Sequence, residues 1–176
     1  MPRDSDEVLM LSYAKGDADA FAVLYGRYRQ SLYAYFLRHV SDEPTANDLY
    51  QGCWEKVIGA RGRYRREAPF RAWLFHIAHN HLVDHYRARR DTAPLPPDLA
   101  DPDPDRPAEE LDEADRRRRF RNALSQLPEE QRDALLLRLE GGLALEQIAA
   151  VTGVGPETAK SRLRYATRKL KEVLQP

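Results

Sequence analysis

The sequence predicts an all-α protein built from two small helical domains, and three observations carry that expectation. Apolar residues recur three and four apart through both halves, no stretch alternates with period two over the length of a strand, and a Pro/Asp-rich segment divides the chain. At 176 residues the chain falls between one large domain and two small ones. The expected boundaries are a first domain over 1–91, a linker over 92–114 and a second domain over 115–176.

In the first half, Asp19 to Arg38 places Phe21, Leu24, Tyr28, Leu32 and Phe36 on one stripe of a helix. Asp42-Glu43-Pro44 then supplies a cap and a first-turn proline, after which Ala46, Leu49, Cys53 and Val57 form a second stripe. That helix stops near Gly59, and a basic loop, Gly59-Ala-Arg-Gly-Arg-Tyr-Arg-Arg, follows. Pro69 opens a third helix with Phe70, Trp73, Leu74, Ile77 and His81 facing inward. The divider from Thr92 to Pro107 holds six prolines and no apolar period. Proline removes backbone donors and disfavours helix in the residue before it, so this stretch reads as extended and solvated.

Helical period resumes over Arg116–Leu127, and Leu127-Pro128-Glu129-Glu130 restarts a helix carrying Leu135, Leu136 and Leu139. Gly141-Gly142 ends it. Leu145 to Thr152 forms a short helix, Gly153-Val154-Gly155 a turn, and Pro156 the first residue of a longer helix. Two helices joined by a three-residue glycine-bearing turn describe a helix-turn-helix, although a plain helical hairpin shares the pattern.

Net charge is zero, from 28 basic and 28 acidic side chains, but its distribution is uneven. Residues 1–60 carry −3, 61–90 carry +6, 91–115 carry −9 and 116–176 carry +6. Two cationic segments on either side of an acidic spacer point to two polyanion-contacting surfaces. Other classes are excluded. No apolar run approaches the roughly 18 residues of a membrane span, and the first residues lack a signal peptide's apolar stretch. A single cysteine, Cys53, forbids an intrachain disulfide, and no nucleotide or dinucleotide fingerprint occurs. A soluble cytoplasmic protein is expected.

At about 100° per residue, Ala159, Leu163, Ala166, Leu170 and Val173 share one arc of the last helix. Lys160, Arg164, Arg168 and Lys171 share the next, flanked by Ser161 and Arg162. Solvated faces normally mix signs, whereas this helix sets six basic groups against Glu157 and Glu172. Such an excess suits phosphate neutralisation and entry into a major groove. In the first half, Arg61, Arg63, Arg65, Arg66 and Arg71 surround Tyr64, and His76, Asn80, Asp84 and Arg87 form one stripe. Arginines interleaved with an aromatic ring suit single-stranded nucleic acid, and an asparagine can pair with an exposed base edge. The alternative is that Tyr64 packs as a core lid and Asn80 only caps a loop.

These motifs resemble, almost end to end, the extracytoplasmic-function (ECF) sigma factors of bacterial RNA polymerase. Asp19-Ala-Phe21 to Tyr28, Asp48-Leu49-Tyr-Gln51-Gly-Cys-Trp54-Glu-Lys56-Val57 and Phe70-Arg-Ala-Trp73 to Arg87 look like their region 2. Leu127-Pro128, Glu146-Gln-Ile148-Ala149, Gly153-Val154 and Thr158-Ala-Lys160-Ser161-Arg162-Leu163 look like region 4. The resemblance implies that Asp48, Gln51, Trp54 and Lys56 dock on core RNA polymerase. It implies that Arg61, Arg63, Tyr64, Arg65, Arg71, His76, Asn80, Asp84 and Arg87 read and melt the −10 promoter element, holding a flipped base of the non-template strand. Glu157, Thr158, Lys160, Ser161, Arg162, Arg164 and Arg168 would read the −35 element as duplex. Promoter DNA, core polymerase and an anti-sigma factor are the implied partners, with no cofactor and no catalysis by this chain.

Two rival readings compete. A stand-alone helix-turn-helix regulator explains the second half and leaves the arginine loop without a purpose. A zinc enzyme would draw on the cluster His76, His79, His81 and His85, with His81 and His85 four apart as ligands and Cys53 as a third, but no carboxylate follows a HExxH arrangement. No metal site is expected.

Overall fold

A computed structural model describes residues 4–90 and 108–175 as eight α-helices and one 3₁₀ turn, with no strand among the described residues. The first half holds α1 (Asp6–Ala14), α2 (Ala18–Val40), α3 (Glu43–Ala60), the turn Arg61–Arg63 and α4 (Phe70–Arg90). The second holds α5 (Ala108–Ser125), α6 (Glu129–Leu139), α7 (Leu145–Thr152) and α8 (Pro156–Leu174). The expected linker residues 92–107 lie outside the described residues.

Helix starts follow the caps. Asp17 Oδ1 accepts from the Asp19 and Ala20 amides at 3.1 and 3.3 Å, and Asp42 accepts from the Thr45 amide at 3.1 Å. Pro44 sits in the first turn of α3, where no backbone donor is missed. The apolar stripe of α2 is buried through Leu24, Tyr28, Leu32 and Phe36, while Phe21 is only partly covered. These side chains meet Leu49, Cys53 and Val57 of α3 and Phe70 and Leu74 of α4 in the core.

Two helical stretches depart from the sequence expectation. The reading contains no helix before Asp19, yet α1 forms, capped by Ser5 Oγ on the Val8 amide at 3.3 Å. Nine residues are too few to be stable alone, so tertiary anchors hold it. Asp6 pairs with Arg27 at 2.8 Å and accepts from the Tyr28 hydroxyl; Leu9 and Met10 are buried. Glu7 Oε1 accepts from the Phe70 amide at 3.1 Å, so α1 caps the open start of α4.

The second departure is α5, which begins at Ala108, inside the expected linker. Residues 108–114 are therefore helical. Acidic residues here stand three or four places before arginines: Asp112–Arg116 and Glu113–Arg117 at 2.7 Å, Asp115–Arg118 at 2.9 Å and Asp115–Arg119 at 3.0 Å. Carboxylate-before-cation pairs at that spacing support a helix, which an assignment made from charge and proline alone overlooks. The far end of α5 is closed by Arg132 of α6, whose guanidinium donates to the Leu124 and Leu127 carbonyls at 2.8 and 2.9 Å.

The halves touch directly. α6 and the turn behind it rest on α2 and α4, and buried residues from both halves form one continuous apolar cluster. Gly141 makes the approach possible, since a Cβ there would stand 2.5 Å from the Leu137 carbonyl oxygen and 3.3 Å from the Phe75 ring.

Candidate nucleic-acid interface

The helix-turn-helix is built by α7 and α8. Gly153 closes α7 in the left-handed region at φ 70°, and extended Gly155 precedes Pro156. Ala159, Ala166 and Leu170 are buried and orient α8, leaving Glu157, Thr158, Lys160, Arg164 and Arg168 exposed and Ser161 and Arg162 half-buried. Arg164 and Arg168 both lie over the Tyr165 ring, at 5.7 and 5.9 Å. That exposed ring (48%) holds two cations in register along the solvent face.

In the first half, Arg61, Arg63 and Arg65 are exposed. Arg61 and Arg65 donate to nearby carbonyls of Ile58 and Gly62 at 3.2 and 3.3 Å, and Arg61 lies over Tyr13. Tyr64 is a correction to the sequence expectation. Its ring is 2% exposed, packed against Phe70 and Trp73, and its hydroxyl donates to the Ala68 carbonyl at 2.7 Å. Burial, then Glu7 and Asp6, push its pKa up to about 12, so it stays a donor. Tyr64 pins the arginine loop to the core and offers no open face to a base.

On α4, His76 and Asn80 are exposed and joined, Nε2 to Nδ2, at 3.2 Å. Burial lowers the His76 pKa, which keeps the ring neutral and able to accept. Asp84 pairs with Lys56 of α3 at 3.7 Å, tying an expected DNA contact to an expected polymerase contact. Of the remaining polymerase candidates, Asp48 and Gln51 are exposed, but Trp54 is 6% exposed and stands edge-on to Phe21 and Tyr50. Trp54 thus shapes the face from beneath.

His76, Asn80 and Arg87 of α4 and Arg162 of α8 border one cleft of about 580 Å³ between the halves. Three residues that sequence reasoning missed, with His79, which it weighed only within the histidine cluster, sit at its floor and beneath it. Asp133 of α6, 7% exposed, accepts from the Tyr35 hydroxyl at 2.5 Å and meets His79 Nδ1 at 2.6 Å. His39 Nε2 stands 3.2 Å away but off the line of a hydrogen bond. Burial alone raises the Asp133 pKa; His39 and His79 outweigh it and hold the carboxyl well below the usual range. No local pattern marks this cluster, because Tyr35 and Asp133 are 98 residues apart.

Among the described residues no group of three or more His, Cys, Asp and Glu is arranged to hold a metal. His81 packs on Gly52, where any Cβ would stand 2.7 Å from Nε2, and burial pushes the Cys53 thiol up to about 12. Nor is any helix among the described residues long and apolar enough to cross a membrane.

A helical pair of nucleic-acid-facing modules, one of them a helix-turn-helix, is what these surfaces define. Residues 24–92 match the family model for Sigma-70 region 2, and residues 117–170 match that for Sigma-70 region 4. The RNA polymerase sigma factor CarQ of Myxococcus xanthus is 33% identical, covering 94% of this chain and 95% of its own. The ECF RNA polymerase sigma factor SigK of Mycobacterium sp. (strain KMS) is 32% identical over 96% and 90%. Among solved structures, CnrH in complex with the cytosolic domain of CnrY superposes with TM-score 0.73 at 26% identity, covering 97% of each chain. RpoE in complex with the anti-sigma factor NepR from Bartonella quintana gives 0.72 at 26%, covering 88% of this chain and 96% of that one.

The chain belongs to the ECF sigma factors of the sigma-70 family. It directs RNA polymerase to promoters and is a non-enzymatic initiation factor, so the rival readings as a stand-alone regulator and as a zinc enzyme both fall.

Proposed function

We propose a division of labour among the exposed residues of this sigma factor. The face of α8 bearing Glu157, Thr158, Lys160, Ser161, Arg162, Arg164 and Arg168 enters the major groove of the −35 element. Residues His76, Asn80, Asp84 and Arg87 of α4, with Arg61, Arg63, Arg65 and Arg71, engage the −10 element as it opens. Unstacking a base costs a few kcal/mol, which a prepared pocket can offset. Asp48, Gln51 and Lys56, backed by Trp54, form the docking face for core polymerase. The relatives crystallised with CnrY and with the anti-sigma factor NepR support an anti-sigma factor as a further partner, and the family supports a cytoplasmic location.

One observation carries this reading: an α8 whose buried arc is apolar and whose exposed residues set Lys160, Arg164, Arg168, Lys169 and Lys171 against Glu157 and Glu172. Phosphate neutralisation makes binding salt-dependent, by nearly one unit of log–log slope per contact. Lys160→Ala and Arg164→Ala are each expected to weaken the polymerase–promoter complex and reduce that slope by about one. Unchanged affinity and slope in both variants refute the −35 assignment.

A further inference from the structure

We propose that the Asp133 carboxylate, shared with Tyr35 and His39 of α2 and His79 of α4, is the catch of a closed form in which the two promoter-reading halves face each other. This rests on the assignment of α4 and α8 to DNA. By their numbering the −10 and −35 elements stand about 25 base pairs apart, about 85 Å along a duplex at about 3.4 Å per step. Here Asn80 and Arg87 of one reading face and Arg162 of the other line the same cleft. No single rigid arrangement of that kind can reach both elements, so the halves must part before the chain engages a promoter.

Beside the shared apolar cluster, what holds them is a polar centre built on one group. Every side chain facing Asp133 at hydrogen-bonding distance comes from the other half: Tyr35 at 2.5 Å, His79 at 2.6 Å and His39 at 3.2 Å. A buried carboxylate is tolerable only with such partners, and it would be an ordinary solvated side chain once the halves separate. Around this centre Arg132 reaches the His39 carbonyl at 3.4 Å, and Arg38 pairs with Glu140 and lies 5.1 Å from the Phe120 ring centroid.

The turn after α6 closes the other end. Gly142, at φ 63°, lies so near Arg71 that a Cβ would stand 2.6 Å from its Nη1. Arg71, one of the −10 candidates, thus touches the second half while remaining exposed. A fully apolar seam would favour permanent closure. A seam with a polar centre that water can rehydrate, and in which His39 Nε2 has no aligned partner, is suited to opening.

Small-angle scattering of the full chain at neutral pH tests this. The wild type is expected near the radius of gyration of a compact 176-residue body, about 16 Å. Asp133→Asn and His79→Ala are each expected to raise it by several ångströms with helical circular dichroism retained. His79 reaches the surface, so the outcome does not hinge on whether Asp133→Asn folds. A wild type already scattering above about 20 Å, or folded variants that stay compact, overturns the catch. With core polymerase supplied, both variants should initiate like wild type. Should no version initiate while the variants still open, the promoter assignment fails and the catch stands.

Discussion

Tyr64 shows how a residue's neighbours in sequence mislead about its neighbours in space. Five arginines surround it along the chain, which favours a ring stacked on a base, yet the ring is inserted between Phe70 and Trp73. Tyr64→Ala is expected to destabilise the fold by about 3 kcal/mol, and Tyr64→Phe by about 1 kcal/mol through the lost Ala68 bond. Chemical denaturation reads both; an unchanged midpoint for the alanine variant would return Tyr64 to the surface. His39 illustrates a different residue-scale effect. Burial lowers its pKa first of all; Asp133 opposes this, and Arg132 and His79 add to it. Tyr86 of α4 and Tyr35 of its own helix also face the ring. The closed form therefore holds His39 neutral, whereas a released His39 takes up a proton near its ordinary value of about 6.5. Opening binds a proton, so closure is fully present above about pH 6.5 and weakens as pH falls through it. Asp133, held below the usual carboxylate range, stays ionised across that window. From pH 7.5 to 5.5 the open-to-closed ratio is expected to rise about tenfold, read as a growing radius of gyration; compaction on acidification would refute it.

At the scale of elements, α2, α3, α4, α6, α7 and α8 were legible because each carries an apolar stripe of helical period, and all but α7 start at a cap or a proline. The whole of α1 and the first turns of α5 escaped, and they are held by something else. α5 is dominated by arginine and acidic pairs, and its stripe is too weak to announce a start. α1 is short and depends on Asp6, Glu7 and partners more than 20 residues away. The exposed candidates on α8 could be picked from the wheel, whereas burial of Trp54 and Tyr64 depended on which helix packed against them. Glu7 gives the element scale its own test, because one carboxylate joins two helices. Glu7→Ala removes a cap from α4, at a cost of about 1 kcal/mol. Hydrogen exchange at Phe70 and its neighbours should accelerate about fivefold, with α2 unaffected. Equal protection in the variant would mean that Pro69 alone fixes the start of α4.

For the whole molecule, two DNA-facing modules and a divider were visible in composition, but their mutual embrace was not. It is made by side chains 98 residues apart and by glycines that matter only once Arg71 and Phe75 lie opposite. A molecule that closes through Asp133 and works by opening sets a length requirement on the segment between its halves. Two bodies each about 30 Å across, centred about 85 Å apart on a promoter, leave roughly 55 Å to bridge. Residues 91–107 number 17 and at full extension reach about 60 Å. Removing ten of them leaves a reach of about 25 Å. That deletion should abolish initiation at promoters needing both elements, while the free chain keeps its wild-type radius of gyration and its binding to core polymerase. Full-strength initiation from the shortened chain would mean that α5 unwinds to supply the missing length, and the ion pairs of Asp112, Glu113 and Asp115 would then be the next place to look.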